Sequence, residues 1–337
     1  SPLTGIFGES SSGRSWGEML KKSGFDGIVI RGKSPKPVYL WLNNGEVELR
    51  NASHIWGKDT FEIDSILKAE TNSKAIVACI GQAGEKSIPL AAIMNDGVHS
   101  RAAARCGLGA VMGSKNLKAI VVYGNHKVEI KDAQGLNKSI KELSKIIVEK
   151  AAGLKKLGTA GALAVFEEMG SLPLQNWRYN DRWKEGAQKI TGATLVESYV
   201  TGDYFCKRCI IGCGKKVEVK DGPYKGTEQS APEYETLALM GSNCLVDDLA
   251  AIIKANELCN RYGLDTISTG SVIAFGMEAF EKGLITKKDT DGIELVWGNG
   301  DAVVEVVKKI GESEGIGKLL GLGSRKAAEM LGRNAEE

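Results

Sequence analysis

The chain has 337 residues, 42% apolar and 26% charged, with 44 Lys and Arg against 42 Asp and Glu for a formal charge of +2. That length supports one large or two medium domains with buried cores, and so even a charge balance calls for neither a nucleic-acid nor a membrane-surface partner. No run of about 18 apolar residues could span a bilayer and no charged-then-apolar leader opens the chain, so a cytoplasmic protein is expected.

Glycine is the outlier, 42 residues, close to twice the usual share of roughly 7%. It implies many places where the backbone takes positive φ or closely approaches a ligand. The ends read as interrupted: Ser1-Pro-Leu-Thr-Gly5 starts without methionine and Arg333-Asn-Ala-Glu-Glu stops just past a predicted helix. A piece of a longer protein is therefore expected.

In chain order, Gly27-Ile-Val-Ile-Arg31 and Val38-Tyr-Leu-Trp-Leu42 are β-rich runs, and Asn44-Gly45 is a hairpin turn leading into the alternating Glu46-Val-Glu-Leu49. A helix is predicted near 61–69, with further strands at Ala75-Ile-Val-Ala-Cys-Ile80 and Ala119-Ile-Val-Val-Tyr123. From about Asp132 the texture changes. Ile140, Leu143, Ile146 and Ile147 recur at helical spacing, and amphipathic segments follow near 245–262, 268–282, 301–312 and 324–332. The expected class is α+β, with a β-rich first domain over 1–128 and a mostly α-helical domain over 129–337. No period of 20 to 50 residues repeats, which sets solenoids aside.

Cys206-Lys-Arg-Cys209-Ile-Ile-Gly-Cys213 packs three of the seven cysteines into eight residues. Free cysteines normally sit singly as small hydrophobes, and an odd total with such a cluster suits a reducing compartment and metal ligation over disulfides. The C-x2-C-x3-C spacing leaves three readings open: a [4Fe–4S] cluster, a zinc ion, or no metal. It reverses the C-x3-C-x2-C order of radical enzymes that use S-adenosylmethionine. Cys79, Cys106, Cys244 and Cys259 are candidate fourth ligands, each in a context that reads first as a buried, inert thiol.

Arg101-Ala-Ala-Ala-Arg105, followed by Gly107, Gly109 and Gly113, is a second constellation. On a helix, arginines at i and i+4 would aim both guanidinium forks the same way, toward an anion. A glycine-rich turn flanked by solvated arginines is the equal alternative. Neither the phosphate-loop nor the dinucleotide fingerprint is matched. In Pro232-Glu-Tyr-Glu235, buried glutamates could carry protons or simply be surface charges at a helix start. Asp265, ahead of Thr-Ile-Ser, reads first as a helix N-cap and second as a ligand contact.

Taken together, these stretches resemble the tungsten-containing aldehyde:ferredoxin oxidoreductase family. The matching text is Ser1-Pro-Leu-Thr-Gly5, Asn51-Ala-Ser-His-Ile-Trp-Gly57, Ala91-Ala-Ile-Met-Asn-Asp-Gly97, Arg101 through Lys118, the three cysteines, Pro232 through Glu235, and Leu264-Asp-Thr-Ile-Ser-Thr-Gly270. The resemblance spans almost the whole chain. It implies a bis-pterin tungsten centre, or molybdenum in some members, between a β-rich pterin-binding domain and helical domains, with a [4Fe–4S] cluster near one pterin. An aldehyde is oxidised with water to the carboxylate, and two electrons pass to ferredoxin. By the resemblance, Gly13, Arg101, Ala102 and Arg105 contact one pterin, and Asn260, Leu264 and Asp265 the other. Cys206, Cys209 and Cys213 are cluster ligands, and Glu235 is an acid near the metal.

Some positions depart from the family pattern. Ser11 stands where an asparagine helps place a magnesium ion, which puts Mg2+ in doubt. Ala104 replaces a glycine, and Lys254-Ala-Asn-Glu257 stands where some members hold an iron between subunits, so that iron is not expected. The family's fourth cluster cysteine and much of the second pterin site come from a later domain, and further pterin contacts precede Ser1, so the piece alone is expected to be inactive. A homo-oligomer is a further expectation. Two alternatives stand beside this one: a benzoyl-CoA reductase-type subunit of the same family, and, in a different class, a non-catalytic zinc-binding module.

Overall fold

A computed structural model describes residues 1–179 and 181–336. The first part is organised on a six-stranded mixed sheet of order β2-β1-β6-β3-β4-β5. Its strands are β1 (Val38–Asn43), β2 (Glu46–Asn51), β3 (Ile76–Cys79), β4 (Ile93–Asn95), β5 (Arg101–Ala103) and β6 (Leu117–Tyr123). β1 runs parallel to β6, and the other neighbours are antiparallel. The predicted hairpin is present: Asn43 pairs with Glu46 across Asn44 and Gly45, both at positive φ (49° and 92°), as a two-residue primed turn requires.

Strand alternation gives the sheet two apolar faces. Leu20 of α1 (Trp16–Lys22) packs with Leu42 and Val122 on one. On the other, α2 (Thr60–Glu70) lays Ile63 and Leu67 against Tyr39, Trp41, Val77 and Val121. α3 (Gln82–Glu85) and α4 (Leu108–Ser114) lie between strands β3 and β4 and between β5 and β6.

Gly27-Ile-Val-Ile-Arg31, expected as a strand, is irregular. Val29 is 83% exposed. The run follows α1 over the surface and reaches a backbone anchor only at Ser34, whose N–H donates to Lys115. β-branched residues make a strand only where a ladder edge is offered to them, and among the described residues none is.

The second part is mostly helical: α5 (Ala133–Lys150), α6 (Ala152–Leu157), α7 (Ala162–Glu168), α8 (Lys184–Lys189), α9 (Gly192–Ser198), α10 (Tyr234–Thr236), α11 (Leu249–Tyr262), α12 (Thr266–Glu281), α13 (Gly300–Glu312), α14 (Ile316–Leu320) and α15 (Ser324–Leu331). α5 is the helix its periodicity predicts, yet it buries none of its residues. A feature absent from the sequence expectation is a three-stranded antiparallel sheet, β7 (Val200–Tyr204), β8 (Gly214–Glu218) and β9 (Glu228–Ser230). Its strands carry Lys, Glu, Thr and Gly, and so lack the apolar alternation that announces a strand.

One large core joins α11, α12 and α13 through Ile252, Ile273, Met277, Val306 and Ile310, and extends to Ile88 and Leu90 of the first part. The two parts touch by backbone. Leu264 pairs with Ala91 in an isolated bridge, Gly263 accepts from Ala92 N–H, and Leu90 accepts from Asp265 N–H. A side chain at Gly81 would put its Cβ 2.2 Å from the Tyr262 carbonyl oxygen. Only glycine lets the first part come this close to the end of α11. α11 itself stops at Gly263, whose φ of 71° is a left-handed cap.

Candidate functional site

That junction opens a cavity of about 390 Å³ lined by Gly13, Arg101, Ala102, Glu235, Asn260 and Leu264 among others. An adjoining cavity of about 400 Å³ shares Ala102 and Glu235 and adds Arg105 and Asp265. The eight expected catalytic and pterin-contacting residues, scattered from 13 to 265, therefore converge on one connected space. Ser11 and Ala104 line both cavities.

The two arginines are not on a helix. Arg101 opens strand β5 and Arg105 follows a turn at the head of a short 3-10 segment, so the i, i+4 alignment does not apply and each fork finds its own acid. The reason is local: β4 offers Arg101–Ala103 a pairing edge, and Cys106 and Gly107 both take positive φ, which an α-helix cannot contain. Above them, the loop around Ser10–Gly13 is pinned at both ends. Arg105 N–H donates to Ser10 Oγ at 3.2 Å, and Asn95 Nδ2 donates to the Gly13 carbonyl at 3.2 Å. A Cβ built on Gly13 would meet nothing within 4 Å, so its backbone faces open space that a ligand can approach.

Arg101 Nη1 donates to Glu233 Oε1 at 2.6 Å, and its guanidinium carbon lies 5.3 Å over the ring of Tyr204. Burial opposes its charge, but Tyr204 and Glu233 more than compensate and hold its pKa above the ordinary value. Glu233, read from sequence as a surface charge or proton carrier, is half-exposed and paired on both sides: its other oxygen accepts from Thr159 Oγ1. Glu235, two residues on, is exposed at the cavity wall.

On the opposite wall Asp265 is the N-cap its sequence announces, accepting from Ile267 and Ser268 N–H. It is 2% exposed. Burial pushes its carboxyl up, against the pull of Ser268 and of Arg105, whose Nε lies 3.6 Å away. The side-chain amide of Asn260 donates to Gln229 Oε1 at 2.9 Å, and its backbone carbonyl accepts from Thr60 Oγ1 at 2.7 Å.

Cys206, Cys209 and Cys213 occupy the tip between β7 and β8, each half-buried. Cys209 N–H donates to Cys206 O in a tight turn, and Arg208 and Gly212 take positive φ. Burial raises the Cys213 thiol, and Glu233 adds to the effect. The donor chemistry suits an iron–sulfur cluster, but among the described residues no three His, Cys, Asp or Glu close into a metal-binding group. Cys79, Cys244 and Cys259 are buried, their thiols pushed up by burial, which fits inert core residues. Cys106 lines a cavity of about 380 Å³ beside Arg105.

Within Lys254-Ala-Asn-Glu257, Lys254 Nζ meets Glu257 at 2.6 Å, and Arg261 Nε meets the same carboxylate at 2.9 Å. That acid is already engaged by two cations. No helix among the described residues is long and apolar enough to cross a membrane.

The sequence also matches known proteins. The family model for the N-terminal domain of aldehyde ferredoxin oxidoreductase matches residues 1–124, and the model for its domains 2 and 3 matches 136–337. The tungsten-containing aldehyde ferredoxin oxidoreductase of Pyrococcus furiosus is 41% identical over 337 residues, covering 98% of this chain and 54% of that protein. The enzyme of the same description from Thermococcus kodakarensis is 40% identical with the same coverage. An aliphatic sulfonate oxidoreductase, WOR-like subunit, of P. furiosus is 35% identical over 92% of this chain and 51% of its own length. Among solved structures, the active-site complex BamBC of benzoyl coenzyme A reductase with 1,5-dienoyl-CoA superposes with a TM-score of 0.79 at 29% identity, over 97% of this chain and 50% of that one. The chain spans about half the length of the curated relatives it matches.

Proposed function

The chain belongs to the aldehyde ferredoxin oxidoreductase family, and from that membership we propose that it forms the pterin-contacting part of a tungsten-dependent oxidoreductase that converts an aldehyde and water to a carboxylic acid. The observation that carries this reading is the convergence of Gly13, Arg101, Ala102, Asn260, Leu264 and Glu235 on one cavity, with Arg105 and Asp265 on the cavity beside it. Open backbone at Gly13 and two arginines suit a ring-and-phosphate ligand.

Arg101 and Arg105 would hold the anionic groups of one pterin, and the backbone at Gly13 and Ala102 would lie against it. Asn260, Leu264 and Asp265 would hold the other. When bound, the tungstopterin group supplies the two-electron oxidation. Cys206, Cys209 and Cys213 would provide three thiolates of a [4Fe–4S] cluster that passes electrons to ferredoxin. Ser11, on the wall of both cavities, would offer a magnesium ion a hydroxyl where the family pattern has an amide oxygen. Glu235, with an exposed carboxylate on the cavity wall, would take a proton at its side-chain oxygen as water adds to the aldehyde carbon.

Reduction of an aromatic acyl-CoA is the second reading, favoured by the likeness to the benzoyl coenzyme A reductase complex. Rates on aldehydes against aromatic acyl-CoA esters separate the two. The complete enzyme, purified without oxygen, is expected to be brown and to contain tungsten, pterin and about four irons. A colourless protein with zinc, or one lacking both tungsten and molybdenum, overturns the proposal.

A further inference from the structure

The cofactor cavity and the cysteine loop are joined by one cluster of contacting side chains. Arg101 has 17% of its side chain exposed, lines the cavity, and lies over the ring of Tyr204, two residues before Cys206. Two groups fix its guanidinium. Glu233 takes it in a 2.6 Å ion pair and is itself anchored by Thr159, whose hydroxyl oxygen in turn accepts from Tyr234 N–H at 3.0 Å. Tyr204, the last residue of β7 and two positions before Cys206, offers its ring to Arg101 at 5.3 Å and to Arg14 at 4.9 Å, with His99 stacked at 5.3 Å. The Tyr204 ring is 6% exposed, and a buried, packed ring holds a cation more firmly than a solvated one.

We propose that Glu233 and Tyr204 are positioning residues that hold Arg101 between the cofactor cavity and the cysteine loop. This rests on the reading of the cavity as a pterin site. An arginine left to itself would fold onto the nearest carboxylate or into water. Here the acid sets the direction of the fork and the ring sets its plane, so the ligand meets an arginine already in place and loses less entropy on binding. Because Tyr204 is covalently two residues from a thiol, the same contact fixes the base of the cysteine loop relative to the cavity. Glu233 and Cys213 line the same small cleft, which sets the carboxylate near that thiol.

The test uses the complete enzyme purified without oxygen, in the variants Glu233→Gln, Tyr204→Leu and Tyr204→Phe, with tungsten, pterin and iron measured per chain and the cluster potential by redox titration. Glu233→Gln and Tyr204→Leu are expected to retain cofactor about tenfold more weakly while iron stays at the wild-type level. Tyr204→Phe, which keeps the ring, is expected to retain it. Glu233→Gln removes a negative charge beside the thiols and is expected to raise the cluster potential. A Glu233→Gln enzyme with full cofactor and unchanged potential overturns the proposal, as does a Tyr204→Phe enzyme as depleted as Tyr204→Leu. A double-substitution cycle of Arg101→Gln with Glu233→Gln, read by urea unfolding of protein stripped of cofactors, isolates the pair itself. Additive effects overturn the clamp. Coupling between the two, together with a wild-type enzyme devoid of pterin, leaves the clamp standing and removes the functional reading.

Discussion

Asp59 at the head of α2 and Arg261 in the last turn of α11 meet at 2.8 Å across 202 residues of sequence. Asp59 does two jobs at once. Its carboxylate caps α2 by accepting from Phe61 and Glu62 N–H, with Glu62 closing the capping box, and it joins the first part of the molecule to the second. Asp59→Ala is expected to lose about 1–2 kcal/mol of unfolding free energy, most of it from the cap. Asp59→Asn keeps the cap and loses only a half-exposed ion pair, under about 1 kcal/mol. Urea unfolding of the two variants checks the order; equal losses would assign the effect to the ion pair.

Lys118 is fully buried in β6, its ammonium on Glu85, which also accepts from Gly57 N–H at 2.8 Å. Burial presses its pKa down and Glu85 resists. Lys118→Met leaves the Glu85 carboxylate buried without its partner and is expected to lower stability by about 3–5 kcal/mol. Adding Glu85→Gln should restore a good part of that loss. Thermal and urea unfolding of the single and double variants measure it.

Asp265 is 2% exposed, and burial works against its charged form. Its folded pKa lies above its ordinary value of 3.8, so the folded state binds the proton more tightly than the unfolded one. Stability attached to this group is therefore present at low pH and lost as pH rises through the folded pKa. Asp265→Asn keeps the N-cap and is expected to be as stable as wild type or more so near pH 7, with the difference closing below about pH 4. Tungsten and pterin content is expected to fall. A variant less stable at neutral pH would show that the Arg105 contact outweighs burial.

His99 behaves in the opposite sense. Burial and the nearby positive charges of Arg14 and Lys216 push its pKa from 6.5 down to about 4, so it stays neutral in its stack with Tyr204. The unfolded chain binds a proton that the folded one refuses, and stability falls as pH drops from 6.5 toward 4. His99→Phe keeps an aromatic ring beside Tyr204 and is expected to flatten that acid slope. Urea midpoints for both proteins at pH values across the window decide it.

What the sequence determined by itself was whatever depends on neighbours along the chain. The Asn44-Gly45 hairpin, the α2 helix, α5, and the N-cap at Asp265 follow from turn chemistry, periodicity and capping, each set within a few residues. The expected site residues came from a resemblance over almost the whole chain, and the fold brings those of the cavity wall onto two adjoining cavities. Only the tertiary structure decided the rest. Gly27–Arg31 has strand composition but, among the described residues, no ladder to join, and β7–β9 form a sheet with little apolar alternation because each supplies the other's hydrogen bonds. Arg101 and Arg105 share a spacing that suits a helix, yet β4 draws Arg101 into a strand and Glu233 and Asp265 turn the two forks to separate partners. Glu233 looked like an unpartnered charge because the residue it pairs with lies 132 positions away. Pairing energy between distant groups is fixed by where the backbone brings them, and a linear pattern carries no term for that distance.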